Sequence, residues 1–291
     1  MLKKRLIASL VIKNGIVVQS IGFERYLPIG KPEITVDYLN QWGIDEIIMV
    51  DIDAAREGRC IDPELVKRVA KRCFVPLSVG GGITSVDQIH TLIHSGADKI
   101  SLNTQAFINP SLIEEGARFF GSQCMVVSID AKGDADGSYR AYTHGGKADT
   151  ALSPAELARQ IQECGAGEIL INSIDRDGYK NGYDIDLIRS LLSATNLPLI
   201  ALGGAKDPLC MKILLESCDV SAIAAGNYFH FVEHSATIAK AYLSRYFPDQ
   251  IRLDGYSDYR DFSFDERGRI VKKEDKSLRD MLFEFHPKEV I

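Results

Sequence analysis

Asp130 ends the apolar run Met125–Asp130, and a carboxylate delivered by a buried strand is a candidate general acid–base. The alternative is a structural carboxylate that accepts hydrogen bonds from loop backbone. Two glycine clusters also follow apolar runs and precede a helix: Gly80-Gly81-Gly82 in SVGGGI and Gly203-Gly204 in ALGGA. Backbone N–H groups bared of side chains at a helix start make anion cradles, and a pair of them suits a small substrate charged at both ends. Asn103 and Thr104 add polar donors beside the first cradle. The segment SIDRDGYKNGYD places Asp175, Asp177 and Gly178 after the sixth run, where acids either position a substrate or simply make a turn. At the opposite ends of the runs stand Arg5, Glu46, Lys99 and Glu168, two cations and two anions. They form either a salt-bridged ring over a barrel axis or, as composition alone suggests, a solvated rim. His90 and His94 have the spacing of a metal pair but no third ligand, so they read as a solvated helix face. No metal or cofactor is expected.

These residues need a scaffold that gathers strand ends. Apolar runs recur at Arg5–Ile12, Ile47–Asp51, Val75–Val79, Lys99–Asn103, Met125–Asp130, Glu168–Ile174, Leu197–Leu202 and Val220–Ala225. None alternates with polar residues, which predicts strands buried on both faces, as in a parallel sheet. Amphipathic stretches lie between them. Asp62-Pro63, Asn109-Pro110 and Ser153-Pro154 each set a capping residue before a proline at the first helical position, and Glu156 completes a capping box with Ser153. Strict alternation over residues 1–245 predicts a (β/α)₈ barrel. A doubly wound sheet is the competing fold, but no G-x-G-x-x-G follows the first run.

Length and composition allow one large α/β domain or two small ones. The chain has 291 residues, 45% hydrophobic and 25% charged, enough for a sizeable core. A net charge of -6 argues against nucleic acid or an anionic membrane as the main partner. No apolar run reaches the roughly 18 residues of a membrane span. The opening MLKKRLIASLVIKNG superficially resembles a signal peptide, but it lacks a small-residue cleavage site and runs into a turn at Asn14-Gly15, so it reads as the first strand. Six scattered cysteines without a C-x-x-C pair fit a reduced, cytoplasmic protein.

An internal repeat decides between the two folds. SVGGGI is echoed by ALGGA, MVDIDA by NSIDRD and SLNT by AAGN, each at an offset of roughly 120 residues, as a four-plus-four duplication would give. ASLVIKNG and VVSIDAKG obey the same offset, which makes Val11 the counterpart of Asp130.

With VGGGI, GADKISLNT, GSQCMVVSIDAKG, THGGK and GAGEILINSIDRDGYKNGYD in place, the chain from Leu2 to about residue 245 resembles the HisF family, the cyclase subunit of imidazole glycerol phosphate synthase. The resemblance implies a (β/α)₈ barrel of two half-barrels and a substrate with a phosphate at each end. It also implies a separate glutaminase subunit docked on the N-terminal face, whose ammonia passes a gate matched here by Arg5, Glu46, Lys99 and Glu168. That reverses the compositional reading of the rim. The departures lie on the other face. Of the family's two catalytic aspartates, Asp130 matches one and Val11 replaces the other. The family's substrate-holding lysine in the first loop is Gln19, its DGT has become Asp177-Gly178-Tyr179, which sets a ring where a small hydroxyl would face phosphate, and its GGAG has become Gly203-Gly204-Ala205-Lys206. AAGNYFHF carries one residue more than the usual pattern.

Three functions fit. The chain resembles most the divergent second copies of surface-polysaccharide gene clusters, which lie beside a glutaminase-like subunit and a sugar amidotransferase. The resemblance then implies ammonia delivery into an amidine on a nucleotide-linked acetamido sugar. An authentic histidine-pathway cyclase and a non-catalytic docking and channelling subunit are the alternatives. Residues 246–291 lie outside the family pattern. Phe262–Val271 reads as a hairpin around Arg267-Gly268 and Lys276–Phe285 as a short helix; the segment is expected to pack on the barrel or on a partner, with a frayed appendage as the alternative.

Overall fold

In the computed structural model, which describes residues 2–253 and 257–276, strands and helices alternate from Arg5 to Tyr246. The chain begins with β1 (Arg5–Lys13), β2 (Ile16–Ile21), β3 (Arg25–Gly30), α1 (Pro32–Gln41), β4 (Glu46–Asp51) and α2 (Pro63–Ala70). It continues with β5 (Leu77–Gly80), α3 (Val86–His94), β6 (Lys99–Leu102), α4 (Thr104–Ile108) and α5 (Ser111–Phe120). Then come β7 (Met125–Gly133), β8 (Tyr139–Thr143), β9 (Ala148–Asp149), α6 (Pro154–Glu163) and β10 (Glu168–Ser173). Last are α7 (Ile185–Leu192), β11 (Leu199–Leu202), α8 (Pro208–Ser217), β12 (Ala222–Ala225) and α9 (Ser235–Tyr246).

Eight parallel staves run in the order β10-β11-β12-β1-β4-β5-β6-β7, and a β10–β7 pairing closes the circle into a (β/α)₈ barrel. All eight predicted runs become staves. The four remaining strands form antiparallel hairpins off β1 and β7, because each of these staves outruns the barrel and pairs with its own return strand. Val11 pairs with Val18, and Asp130 with Tyr142.

Residues two apart on a strand share a face, so each stave splits its side chains between two cores. Outward residues such as Leu6, Ala8 and Leu10 pack against the helices. Inward residues Ile7, Ile48, Val126, Leu170, Ile200, Ala222 and Ala224 fill the barrel axis. The helix starts follow the capping residues. Asp62 accepts from Glu64 N–H at 3.0 Å, Ser153 and Glu156 form a complete capping box, and Asp207 accepts from Cys210 N–H at 3.0 Å. Asn109-Pro110 departs from expectation: Asn109 ends α4, Pro110 itself takes the cap position of α5, and the Asn109 side chain accepts from Ser111 Oγ instead. Among the described residues no helix is long and apolar enough to cross a membrane.

The half-barrel repeat is visible in backbone packing. A side chain on Gly81 would strike Asp51 O, and one on its counterpart Gly203 would stand 2.9 Å from Ser173 O. Gly82 and Gly204 are likewise crowded, by Arg59 O and Gly182 O, and all four have positive φ. Glycine is therefore required at these positions for conformation as well as for access.

At the base of the barrel Lys240 of α9 is fully buried. Its Nζ donates to Asp45 Oδ1 at 2.7 Å and to Gly43 O at 2.5 Å, while Asp45 Oδ2 accepts from Leu6 N–H at 2.7 Å. The last helix is thus tied to the first two staves. The following segment docks beside it. Ile251 is buried and bridges to Lys4. The hairpin around Arg267-Gly268 forms, with Phe264 opposite Ile270. Phe264 packs on Tyr242 with ring centres 5.3 Å apart, and Gly268 seats against Pro208. The helix expected over Lys276–Phe285 lies outside the described residues beyond its first position.

Removing one partner of a buried pair strands the other charge. Lys240→Ala should lower unfolding free energy by about 3–5 kcal/mol in urea denaturation, and adding Asp45→Asn should recover part of it. A loss under about 1 kcal/mol for the single variant would contradict the assigned role of this pair.

Candidate active site

The N-terminal end of the barrel carries a closed ring of charge. Arg5, Glu46, Lys99 and Glu168 occupy the first position of β1, β4, β6 and β10. Arg5 Nη1 donates to Glu46 Oε2 at 2.6 Å, and Arg5 also pairs with Glu168. Lys99 Nζ donates to Glu46 Oε1 at 2.8 Å and to Glu168 Oε2 at 3.1 Å. Each cation therefore touches both anions. Ser78 Oγ adds a donor to Glu46 at 3.2 Å. Burial pulls the Arg5 pKa down, but hydrogen bonds and charge from Glu168 and Glu46 outweigh it and leave the pKa raised. The rim is not solvated: the side chains of Glu46 and Glu168 are only 2% and 8% exposed.

The C-terminal mouth holds a cavity of about 890 Å³. Gly81, Gly82, Asn103 and Thr104 line it, as do Asp177, Gly178, Gly203 and Gly204. Val11 and Asp130 both reach it, from staves β1 and β7. Val18 and Val50, its partners in the ladder, make an apolar patch with Val11, flanked along β1 by Ser9 and Lys13. The wall around Asp130 is polar. Asn103 Nδ2 donates to Asp130 Oδ2 at 3.1 Å, and Asn172 lies beside Asp130 in register on β10.

Burial raises the Asp130 pKa from 3.8 to about 7, opposed by hydrogen bonds from Asn172 and Asn103 and reinforced by the charge of Asp177. A carboxyl poised near neutrality can both give and take a proton, as general acid–base chemistry requires. Asp177 is raised as well, by burial, although Ser20 Oγ donates to it at 2.6 Å and the backbone of Phe23 and Gly22 adds further donors.

Three expected placements need correction. Asp175 lies outside the cavity: β10 ends at Ser173, the next turn directs Asp175 to solvent, and its Oδ2 accepts from Gly133 N–H at 2.7 Å. Tyr179 does not face the cavity either. Gly178 turns at φ 73° against Ser20 O, and the exposed ring lies over Gly22. Gln19 is a buried member of β2 rather than a loop residue, and it lies outside the cavity wall.

Other cavity residues escaped sequence reasoning. Lys13 and Arg56 both pair with Asp53, at 3.0 and 2.8 Å, and Arg59 pairs with Asp51 at 2.7 Å. His144 and Lys147 arrive on the β8–β9 hairpin, held where His144 N–H donates to Thr104 Oγ1 at 3.1 Å. Asn172 had a usable signal, because Glu168, Leu170 and Asn172 fall on one face of a strand. Among the described residues no cluster could hold a metal ion; His90 and His94 stack on each other at 4.0 Å on the exposed face of α3.

The raised Asp130 pKa predicts a pH-dependent stability. Below about pH 4 both folded and unfolded states keep the proton, so there is no penalty. Between about pH 4 and 7 only the unfolded chain releases it, and stability falls with rising pH until the folded group also titrates. Asp130→Asn removes this titration. In urea denaturation the variant should gain roughly 2–4 kcal/mol on the parent between pH 4 and pH 8. A difference independent of pH would contradict the assignment.

Comparison with known proteins agrees with this architecture. The family model described as "Histidine biosynthesis protein" matches residues 5–235. A protein of Vibrio vulnificus named "Putative imidazole glycerol phosphate synthase subunit hisF2" is 41% identical over 271 residues, 92% of this chain and 98% of its own. The imidazole glycerol phosphate synthase subunit HisF of Geobacillus thermodenitrificans is 43% identical over 244 residues, 84% of this chain and 97% of its own. The Vibrio match is longer than the barrel and therefore runs into the C-terminal segment. With a barrel of two matched halves and a family match over most of its length, the chain belongs to the histidine biosynthesis protein family and is HisF-like within it.

Proposed function

We propose that the chain takes ammonia from a glutaminase docked on the N-terminal face and uses or delivers it at the C-terminal mouth, with Asp130 handling the protons. The nitrogen acceptor is a nucleotide-linked acetamido sugar, whose amide carbon gains the ammonia nitrogen to become an amidine while the amide oxygen leaves as water, and a sugar amidotransferase acts beside the complex. The observation that carries this reading is the asymmetry of the mouth. Equivalent positions of the two half-barrels hold Asp130 on one side and Val11 on the other. Ring closure of a substrate held at both ends calls for proton transfer on two sides, and valine can perform none. A positioned acid or base contributes about 10²–10⁴-fold to rate. The apolar patch of Val11, Val18 and Val50 instead suits a group such as an acetyl methyl. The paired ring of Arg5, Glu46, Lys99 and Glu168 supports the ammonia-conducting half of the proposal. It supports a docking and channelling subunit equally, so chemistry at Asp130 is what distinguishes the two.

The test measures amidated product from the complete complex, first with glutamine and then with ammonium as nitrogen source. Asp130→Asn should reduce product by at least about 10²-fold with either source, while glutaminase activation persists. Lys99→Ala should impair only the glutamine-dependent reaction. Unchanged flux in Asp130→Asn would reassign the chain as a docking subunit. Cyclase turnover on the histidine-pathway intermediate within about tenfold of an ordinary family member would restore the cyclase reading.

A further inference from the structure

Conversion of an amide to an amidine passes two protons from nitrogen to the departing oxygen, so groups that take and give protons are needed at both atoms. Asp130 is one such group, and the equivalent place on β1 holds Val11. Other titratable groups of the cavity wall are already committed. Asp51 and Asp53 pair with Arg59, Arg56 and Lys13. Asp177 accepts from Ser20 Oγ and Phe23 N–H, and Tyr26 donates to Phe23 O. His144 is different. Among the described residues it is the one histidine on the cavity wall, and it is exposed at the rim. Histidine is the side chain best suited to exchange a proton near neutral pH.

The fold sets His144 near Asp130. Stave β7 pairs Asp130 with Tyr142 of β8, and two residues later the chain reaches the cavity wall at His144. The His144 N–H donates to Thr104 Oγ1 at 3.1 Å, and Thr104 adjoins Asn103, whose Nδ2 donates to Asp130 Oδ2 at 3.1 Å. His144 has φ 53° and precedes Gly145 and Gly146. Glycine adopts left-handed backbone freely, and the backbone contact to Thr104 needs no side chain, so the turn itself does not call for histidine. The imidazole is also oriented. Thr143 Oγ1 lies 3.1 Å from His144 Nδ1 and 3.4 Å from Ala148 O. A hydroxyl that donates to this carbonyl accepts from the Nδ1–H, which leaves Nε2 bare as a base.

We propose that His144 is a second catalytic residue, the acid–base partner of Asp130 in amidine formation. This rests on the acetamido reading of the acceptor. Ammonia bonds to the amide carbon as the carbonyl electron pair moves to oxygen; Nε2 takes a proton from the new nitrogen, and Asp130 gives one to the oxygen. The imidazolium then gives its proton to the resulting hydroxyl, the C–O bond breaks and water leaves. Asp130 regains a proton from nitrogen as the C=N bond forms. Both groups end as they began.

The test follows amidated product from the complete complex, with a uridine-diphosphate-linked 2-acetamido sugar as acceptor and ammonium as nitrogen source. His144→Gly suits the left-handed turn and removes the imidazole. Its kcat should fall at least about 10²-fold while KM for the sugar stays within about 3-fold. Added imidazole should raise the rate of this variant at least about 10-fold. His144→Gln can hydrogen-bond but cannot relay a proton, and it should be as slow as the glycine variant. Glutaminase activation, read separately with glutamine, should persist in both variants because it depends on the opposite face. A kcat within about 5-fold of the parent in either variant, or no restoration by imidazole, overturns the role of His144 and leaves the acceptor class standing. Absence of product from the parent overturns the acceptor class and the inference with it.

Discussion

The parallel ladder between β7 and β10 is the contact on which the rest of the molecule depends. It closes the barrel, and its register sets Glu168 against Val126 and Asn172 against Asp130. Because inward positions recur every second residue, one ladder fixes three levels at once. Glu168 enters the charged ring at the base, Leu170 joins the apolar fill of the axis, and Asn172 meets Asp130 at the mouth. A slip by one residue would turn all of these outward. The two ends of the barrel are therefore not independent features. They are opposite ends of the same staves, and a change that loosens the ladder disturbs both.

Electrostatics separates the ends. At the base two cations and two anions neutralise one another, and each carboxylate is held by both partners. At the mouth Asp130 has amide neighbours instead of a cation, and burial acts on it with little opposition. The same fold thus pairs two carboxylates with cations at one end and raises the pKa of a third to about 7 at the other. Val11 at the position equivalent to Asp130 sharpens the contrast, and the carboxylates nearest to β1 in the mouth, Asp53 and Asp51, are paired with Lys13, Arg56 and Arg59. The half-barrels retain a common backbone, down to matched glycine contacts, while the residues at the stave ends, Val11 and Asp130, differ.

Most of the architecture was legible in the chain. Staves buried on both faces leave unbroken apolar runs, and proline-marked caps announce helices, so alternation and repeat together predict the barrel. The ring was legible only through family likeness, because charges at strand starts resemble an ordinary rim until closure brings them across the axis. The direction of loop side chains was not legible. Asp175 and Tyr179 sit in a segment close to the family signature yet point away from the cavity, since one strand end and one positive-φ glycine decide their orientation. The two hairpins were missed for a related reason: β2 and β8 are short return strands whose pattern is set by pairing with an overlong stave rather than by a core of their own. Asn172 was passed over as part of an apolar run, although its spacing from Glu168 marked it as inward-facing.

The central claim is that nitrogen released at the base is used at the mouth without mixing with solvent. Isotope tracing tests it most directly. The complete complex would be supplied with glutamine labelled with ¹⁵N at its side-chain amide, in the presence of excess unlabelled ammonium, and the amidated product analysed by mass spectrometry. Passage through the ring predicts product that carries mainly ¹⁵N at early times, and dilution of the label in Lys99→Ala. Product bearing the isotopic composition of bulk ammonium would contradict the account.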